Sequence, residues 1–333
     1  MNIKNLIVIG LGLVGGQRLS ACINVGIPTE NLFLYDPNSD ILQFQNNPEF
    51  VKVTRLKNID SLAKHKISHA IVSVPHDQAL PIVNSLLSAG IIVLMEKPFG
   101  RNLQEAEQLL RHTNSENLSV GFNYRFMPGV KDLREALLSN ALGDISIVKL
   151  ELGHGGSPDD KYSWKLSPVK AGGGVVLDPG IHLLDLLVFL FGANSENLEI
   201  KGITEWKGFW NTGIEESASF IGYVNKVPFS VTTSIVAWRT RFNIEVIGTE
   251  GYLEVDGRGR SDGPQSVVEG SRWGWLGHSS QKKSESHRVV SIIDSSIEIE
   301  TLAWINNEPD VCKIHSAYEG MKIYSLLKKQ LVT

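Results

Sequence analysis

The sequence predicts an α/β domain built on a parallel sheet, followed by an α+β domain with a mostly antiparallel sheet. Two observations carry this. Over residues 1–121, short apolar runs alternate with longer amphipathic segments, the pattern of a parallel sheet covered by helices on both faces. From about residue 122, strand candidates follow one another through short Gly, Asn and Pro turns, which suits an antiparallel sheet with helices on one side.

In the first domain, Leu6–Ile9, Leu32–Tyr35, Ala70–Val74, Ile91–Met95 and Leu118–Val120 read as strands, and Gln78–Ala89 and Leu103–His112 as helices. The second domain, residues 122–333, opens with a helix at Val130–Ser139 and a strand at Ile145–Leu152. A helix at Pro179–Phe191 precedes strands at Leu198–Ile203, Ala218–Val224, Phe229–Val236, Phe242–Ile247 and Tyr252–Val255. Val311–Leu331 reads as a closing helix. Asp256–Arg288 is rich in Gly, Ser and charge, yet contains Trp273 and Trp275. A loop of that length is either a disordered insertion or a functional lid or subunit contact anchored by the tryptophans.

A chain of 333 residues accommodates two domains of ordinary size, each with its own core. Its 42% hydrophobic and 20% charged residues are those of a globular protein. A net charge of −4, from 32 basic and 36 acidic residues, argues against a broad footprint for nucleic acid or anionic lipid. Cys22 and Cys312, the only cysteines, form neither metal-ligand spacing nor a disulfide framework, so a reducing compartment is expected and no metal site. Lys4 before an apolar run imitates a signal peptide, but a buried first strand with a glycine turn after it explains the same residues. No apolar run approaches the roughly 18 residues of a membrane span, and a cytoplasmic location is expected.

Gly10-Leu11-Gly12-Leu13-Val14-Gly15 follows the first strand and opens a helix. Gly10 permits the tight turn, Gly12 lets the backbone approach a pyrophosphate, and Gly15 lets helix and strand pack closely. The helix N-terminus offers amide donors and a positive dipole end. Asp36 follows the second strand at the distance this fingerprint requires. Asp36 would accept from the ribose hydroxyls and repel a 2′-phosphate, and Pro37 and Asn38 add no positive charge. NAD is therefore expected over NADP. Ser73-Val74-Pro75-His76 ends the Ala70–Val74 strand, where ligands of open α/β sheets bind. This turn is a candidate lining for the nicotinamide; His76 either touches the cofactor or is an exposed loop residue.

Met95-Glu96-Lys97-Pro98 lies at the same carboxyl edge. Pro98 keeps the chain extended at Lys97. A partly desolvated lysine there suits stabilisation of negative charge on a substrate oxygen, against the plain alternative of a solvated side chain. In Ala171–Asp185, Asp178, His182 and Asp185 fall at helical spacings just after Gly172-Gly173-Gly174. A carboxylate and an imidazole on one helical face, beside backbone that can approach a ligand, suggest proton transfer. Asp178-Pro179 is also a good helix start, with Asp as N-cap and Pro in the first turn. A histidine in so apolar a helix, ending at a Gly192 stop signal, is often purely structural.

Taken in order, the Gly10–Gly15 turn, Asp36, Glu96-Lys97-Pro98 and Gly172-Gly173-Gly174…Asp178…His182…Asp185 resemble the glucose-fructose oxidoreductase, inositol dehydrogenase and MocA family. Asn123-Tyr124-Arg125-Phe126 and Gly248-Thr249-Glu250-Gly251 look like further family features. The resemblance implies an N-terminal Rossmann dinucleotide-binding domain and a C-terminal domain whose open sheet often mediates assembly, giving a homodimer or homotetramer. It implies nicotinamide-dependent hydride transfer at a hydroxyl-bearing carbon of a sugar, cyclitol or nucleotide sugar. Lys97, Asp178 and His182 match the family's catalytic residues, and Glu96 its cofactor-binding glutamate. His76 stands where the family usually has Asn or an analogous polar residue.

On this reading His182 is the base, since an imidazole titrates near neutrality. Lys97 holds the substrate oxygen, and Asp178 orients or supports the pair; the roles of Lys97 and His182 are exchangeable. Arg125, Trp164 and Asp185 are candidate substrate contacts, with domain-junction, core and helix-supporting roles as their alternatives. Arg258, Arg260, Arg272 and Trp275 suit a nucleotide sugar or a solvated face. Two other functions fit the scaffold: a redox-neutral NAD-dependent sugar-processing enzyme, and a non-catalytic dinucleotide sensor.

Overall fold

The structure, a computed structural model, describes residues 3–37, 48–156, 163–271 and 284–331. In chain order the strands are β1 (Leu6–Ile9), β2 (Leu32–Tyr35), β3 (Thr54–Arg55), β4 (His69–Val72), β5 (Ile92–Glu96), β6 (Leu118–Gly121), β7 (Ile145–Gly153), β8 (Leu198–Trp206), β9 (Ser217–Val224), β10 (Val227–Ser234), β11 (Arg241–Gly248), β12 (Gly251–Asp256), β13 (Gln265–Ser271), β14 (Glu285–Ser291) and β15 (Cys312–Lys313). The principal helices are α1 (Leu13–Asn24), α2 (His76–Ser88), α3 (Leu103–Leu110), α4 (Pro128–Leu138), α5 (Ile181–Phe191), α6 (Ser296–Ile305) and α7 (Ile314–Leu331).

These elements form two compact units. One holds Met1–Asn123, Val169–Gly172 and Ser296–Met321; the other holds Tyr124–Pro168, Gly173–Ser295 and Lys322–Thr333. The division is thus not a single cut at residues 121 and 122, because the late segment with α6 and β15 belongs to the first unit. There α6 packs on α1, and β15 pairs antiparallel with β6.

The first unit has the sheet order β15-β6-β5-β4-β1-β2-β3, parallel throughout except at β15. Leu6, Ile7 and Val8 of β1 are fully buried, as a strand covered on both faces must be. Chain order reverses between β1 and β4, which opens a crevice beyond their carboxyl ends. The turns after these strands are joined there, Ser73 N–H donating to the Ile9 carbonyl at 2.8 Å.

The second unit has the order β14-β13-β12-β11-β7-β10-β9-β8, antiparallel except for the β7–β10 pair. Burial alternates along it: Ala218, Phe220 and Val224 of β9 are buried, while Ile221 and Tyr223 are exposed. Helix α4 lies against β12, β13 and β14, and α5 against β7. Both expected fold classes are found.

Three local expectations are corrected. Asp256–Arg288 is not one long loop, since it contains β13 and the first part of β14, which pair with each other. β14 is exposed along most of its length, so no apolar alternation marked it. Arg272, Trp273 and Trp275, like Asn38, lie outside the described residues. The helix read at Pro179–Phe191 begins at Ile181 with Gly180 as its N-cap. Residues before it turn back on themselves instead, with the Asp178 amide on the Gly174 carbonyl and the Gly180 amide on the Val175 carbonyl. The closing helix begins at Ile314, because Cys312 and Lys313 are drawn into the first unit's sheet.

Candidate functional site

The glycine turn of the first unit fits a dinucleotide on three counts. A Cβ at Gly15 would overlap the Gly10 carbonyl, so α1 packs on the turn only because Gly15 has no side chain. At Gly12, by contrast, a Cβ would meet no protein atom within 4 Å, and Gly12 caps α1 without a side-chain hydrogen bond. The first amides of α1 therefore face an open approach beside Leu13 and Val14. Finally, Ser73, whose backbone packs closely on Gly10, has a buried hydroxyl that finds no hydrogen-bond partner among the described residues.

Asp36 is placed by that turn: one carboxylate oxygen accepts from the Leu11 amide at 2.7 Å. Arg55 on β3 donates to the Asp36 backbone carbonyl at 3.4 Å. This basic group comes from a later strand, so the residues next to Asp36 did not foretell it.

Val74 and Pro75 complete the turn after β4, and His76 is the first residue of α2. His76 is buried rather than an exposed loop residue, with Nδ1 2.9 Å from the Ala171 carbonyl. A carbonyl only accepts, so Nδ1 carries the proton. Pro75 sets the extended backbone from which the helix starts.

Glu96 ends β5 and takes part in an ion-pair network that the motifs did not announce. Arg18 on α1 is fully buried, and its Nε donates to Glu96 Oε1 at 2.7 Å. Its Nη2 donates to Glu300 Oε2 at 2.5 Å, and its Nη1 to the Thr301 hydroxyl at 3.3 Å. Burial works against the guanidinium charge, yet Glu96 and Glu300 together hold its pKa above the ordinary arginine range. The available signal was an arginine three residues after Gly15, on the face that buries Leu19 and Cys22. Lys97 follows Glu96 directly, at the carboxyl edge of the sheet, and its peptide bond to Pro98 is cis.

In the second unit, His182 sits in the first turn of α5 and is 5% exposed. Its ring stacks on Tyr124, with centroids 4.0 Å apart and planes 8° from parallel. Asp178 precedes the helix, so the expected single helical face holds His182 and Asp185 but not Asp178. Its carboxylate lies 3.1 Å from Lys165 Nζ, with the Asp178 side chain 8% exposed and that of Lys165 54%. Asp178 lines a cavity of about 60 Å³ with Pro179, Gly174, His154, Ser163 and Lys165. Gly156 N–H donates to His154 Nδ1 at 3.1 Å, which leaves the proton of a neutral His154 on Nε2.

The glycines before Asp178 make close approaches to protein. A Cβ at Gly173 would overlap the Tyr324 hydroxyl, and one at Gly174 the Glu215 backbone. Glu215 Oε1 accepts from the Gly174 amide at 3.0 Å, and burial pushes its carboxyl pKa up.

Arg125 and Asp185 hold each other: Nε to Oδ2 at 2.8 Å and Nη2 to Oδ1 at 2.5 Å, both side chains buried. These two candidate substrate contacts are thus engaged with each other, as the alternative domain-junction and helix-supporting roles require. Trp164 is half-buried in a short turn, with the Lys165 amine 5.9 Å from its ring centroid. Arg258 is no solvated residue: it is 9% exposed, donates to the Tyr124 hydroxyl at 2.6 Å and to Asp262 at 3.0 Å. Arg260 pairs with Asp294 at 2.5 Å. No cluster able to hold a metal ion is found among the described residues.

Residues 4–124 match the oxidoreductase family with an NAD-binding Rossmann fold, and residues 130–254 match the GFO/IDH/MocA C-terminal domain. The chain belongs to the GFO/IDH/MocA oxidoreductase family. Among relatives, it is 30% identical over 201 residues to trans-1,2-dihydrobenzene-1,2-diol dehydrogenase of Mus musculus, covering 59% of this chain and 57% of that one. It is 29% identical over 261 residues to glucose-6-phosphate 3-dehydrogenase of Bacillus subtilis (strain 168), covering 74% and 72%. The fold is shared with an NAD binding oxidoreductase from Klebsiella pneumoniae, at a TM-score of 0.79 and 16% identity over 99% of this chain and 97% of that one. The match to the mouse enzyme thus spans little more than half of its length. The NAD-binding Rossmann match over residues 4–124 takes in β1, α1 and the turn between them.

Proposed function

We propose that this protein is an NAD-dependent dehydrogenase that transfers a hydride between nicotinamide and a hydroxyl-bearing carbon of a sugar, cyclitol or nucleotide sugar. The observation that carries this is Asp178, a largely buried carboxylate in the wall of a cavity that His154, Ser163 and Lys165 also line. Such a mixture of hydrogen-bonding groups and apolar wall suits a polyhydroxylated ligand. Membership of the family and the name of the Bacillus relative support the same class.

Bound NAD would supply the hydride acceptor, held by Gly10, Gly12 and Gly15, by the first amides of α1 and by the Ser73–His76 turn. Asp36 disfavours a 2′-phosphate, which supports NAD over NADP. In the oxidative direction His182 accepts the hydroxyl proton as general base. Lys97 donates to the same oxygen and stabilises its developing charge. Asp178 hydrogen-bonds the reacting sugar and fixes its orientation. The same reading takes the protein as a cytoplasmic homodimer or homotetramer; the buried Cys22 and Cys312, which form no disulfide with each other, support the compartment. Sedimentation equilibrium tests the assembly.

The test is NAD reduction with D-glucose, myo-inositol, D-glucose 6-phosphate and UDP-N-acetylglucosamine. His182→Ala and Lys97→Ala are expected to lower kcat with NAD binding intact. Wild-type rates in both variants would overturn the mechanism, and NAD binding without turnover across the panel would favour a sensor.

A further inference from the structure

We propose that Tyr124 and Arg258 are positioning residues that fix the plane of the His182 imidazole. The proposal rests on His182 being the base, and extends that reading to two further residues.

A histidine side chain leaves its backbone with two rotatable bonds, and a base works only if its nitrogen meets the proton in line. Tyr124 constrains the rotation of the His182 ring. Its ring lies 4.0 Å from the imidazole and 8° from parallel, a contact that a rotated ring would lose.

Tyr124 is in turn fixed from two directions. Phe242 on β11 meets its ring edge-on, with centroids 5.3 Å apart and planes at 81°. Arg258 donates to the phenolic oxygen at 2.6 Å, and Asp262 holds Arg258 through Nε at 3.0 Å. Tyr124 is 5% exposed and Arg258 9%, so neither is loosened by water. Burial pushes the Tyr124 phenol up, against the pull of Arg258, which keeps the hydroxyl neutral and able to accept that bond. The chain Asp262–Arg258–Tyr124–His182 links the turn after β12 to the first turn of α5.

The three residues play separable parts. Tyr124→Phe keeps the stacked ring and loses the bond to Arg258. Tyr124→Leu removes the ring. Arg258→Met leaves the ring and removes its hydroxyl partner.

The test uses the full chain labelled with [ε1-13C]histidine, the His182 resonance being assigned by its loss in His182→Gln. A proton stacked over a ring face is shifted upfield. The upfield shift is expected in full in the wild type, reduced in both Tyr124→Phe and Arg258→Met, and lost in Tyr124→Leu. A His182 resonance unchanged between wild type and Tyr124→Leu would overturn the proposal. In turnover of D-glucose 6-phosphate with NAD, Tyr124→Leu is expected to lose about 10- to 100-fold in kcat with both KM values little changed. Tyr124→Phe, which keeps the ring and loses the bond to Arg258, is expected to recover part of that loss. An active His182→Gln would overturn the catalytic reading, while the resonance shift still decides whether Tyr124 fixes the ring.

Discussion

Arg125 grips Asp185 at two points, through Nε at 2.8 Å and Nη2 at 2.5 Å, with neither side chain more than 4% exposed. The guanidinium also lies over the Phe189 ring, 4.7 Å from its centroid. The pair ties the Asn123–Phe126 turn to α5 one turn beyond His182. Asp185→Asn leaves a buried guanidinium without its countercharge. It is expected to cost about 3–5 kcal/mol, read as a lower denaturant midpoint. A midpoint within error of wild type would sink the structural reading of this pair.

Gly12 and Gly15 separate ligand approach from packing. Gly12→Ala meets no protein atom, so it is expected to melt within a few degrees of wild type while binding NADH more weakly. Gly15→Ala overlaps the Gly10 carbonyl and is expected to lower the melting temperature as well. Thermal melts and NADH fluorescence titration distinguish them; unchanged NADH affinity in Gly12→Ala would place the pyrophosphate elsewhere.

Asp36 governs the choice between NAD and NADP. Asp36→Ser removes the carboxylate and leaves Arg55, which donates to the residue-36 carbonyl at 3.4 Å. The ratio of NADPH to NADH affinity is expected to rise about tenfold or more, corresponding to about 1.4 kcal/mol. An unchanged ratio in parallel titrations would remove Asp36 from cofactor choice.

Arg18, itself fully buried, pairs with both Glu96 and the fully buried Glu300. Arg18→Met is expected to destabilise the protein by about 3–5 kcal/mol, because it leaves two carboxylates without their shared cation. Denaturant melts check this, and a midpoint within error of wild type would argue against a structural role for the network.

Glu215 sets a pH dependence of opposite character from an ordinary carboxylate. Burial raises its pKa in the folded state, so the native protein binds its proton more tightly than the unfolded chain does. Its contribution to stability is fully present below the unfolded value of about 4.3 and is lost as pH rises through the raised folded value. Glu215→Gln retains an oxygen for the Gly174 amide and carries no charge. It is expected to gain on the wild type as pH rises through that window and to hold the gain above it. Denaturant midpoints of both proteins between pH 4 and pH 8 measure the difference, and parallel curves would contradict the assignment.

The glycine turn, Asp36 and the alternation of apolar strands with helices were legible in the chain because each depends on near neighbours: a φ of +85° at Gly10, an N-cap at Gly12, an all-apolar β1. Strand β14 was not, because it is exposed and has no buried face to write into its pattern. Asp178-Pro179 looked like a helix start because Asp and Pro favour one locally, but amide bonds back to Gly174 and Val175 place the start at Ile181. Tertiary structure alone decided the partners: Arg18 with Glu300, Arg125 with Asp185, and Tyr124 with both His182 and Arg258. Those pairs join residues remote in sequence, and a buried charge or ring is satisfied by whichever group the packed fold brings to it. Periodicity records which face of an element is buried; it carries no record of what lies opposite.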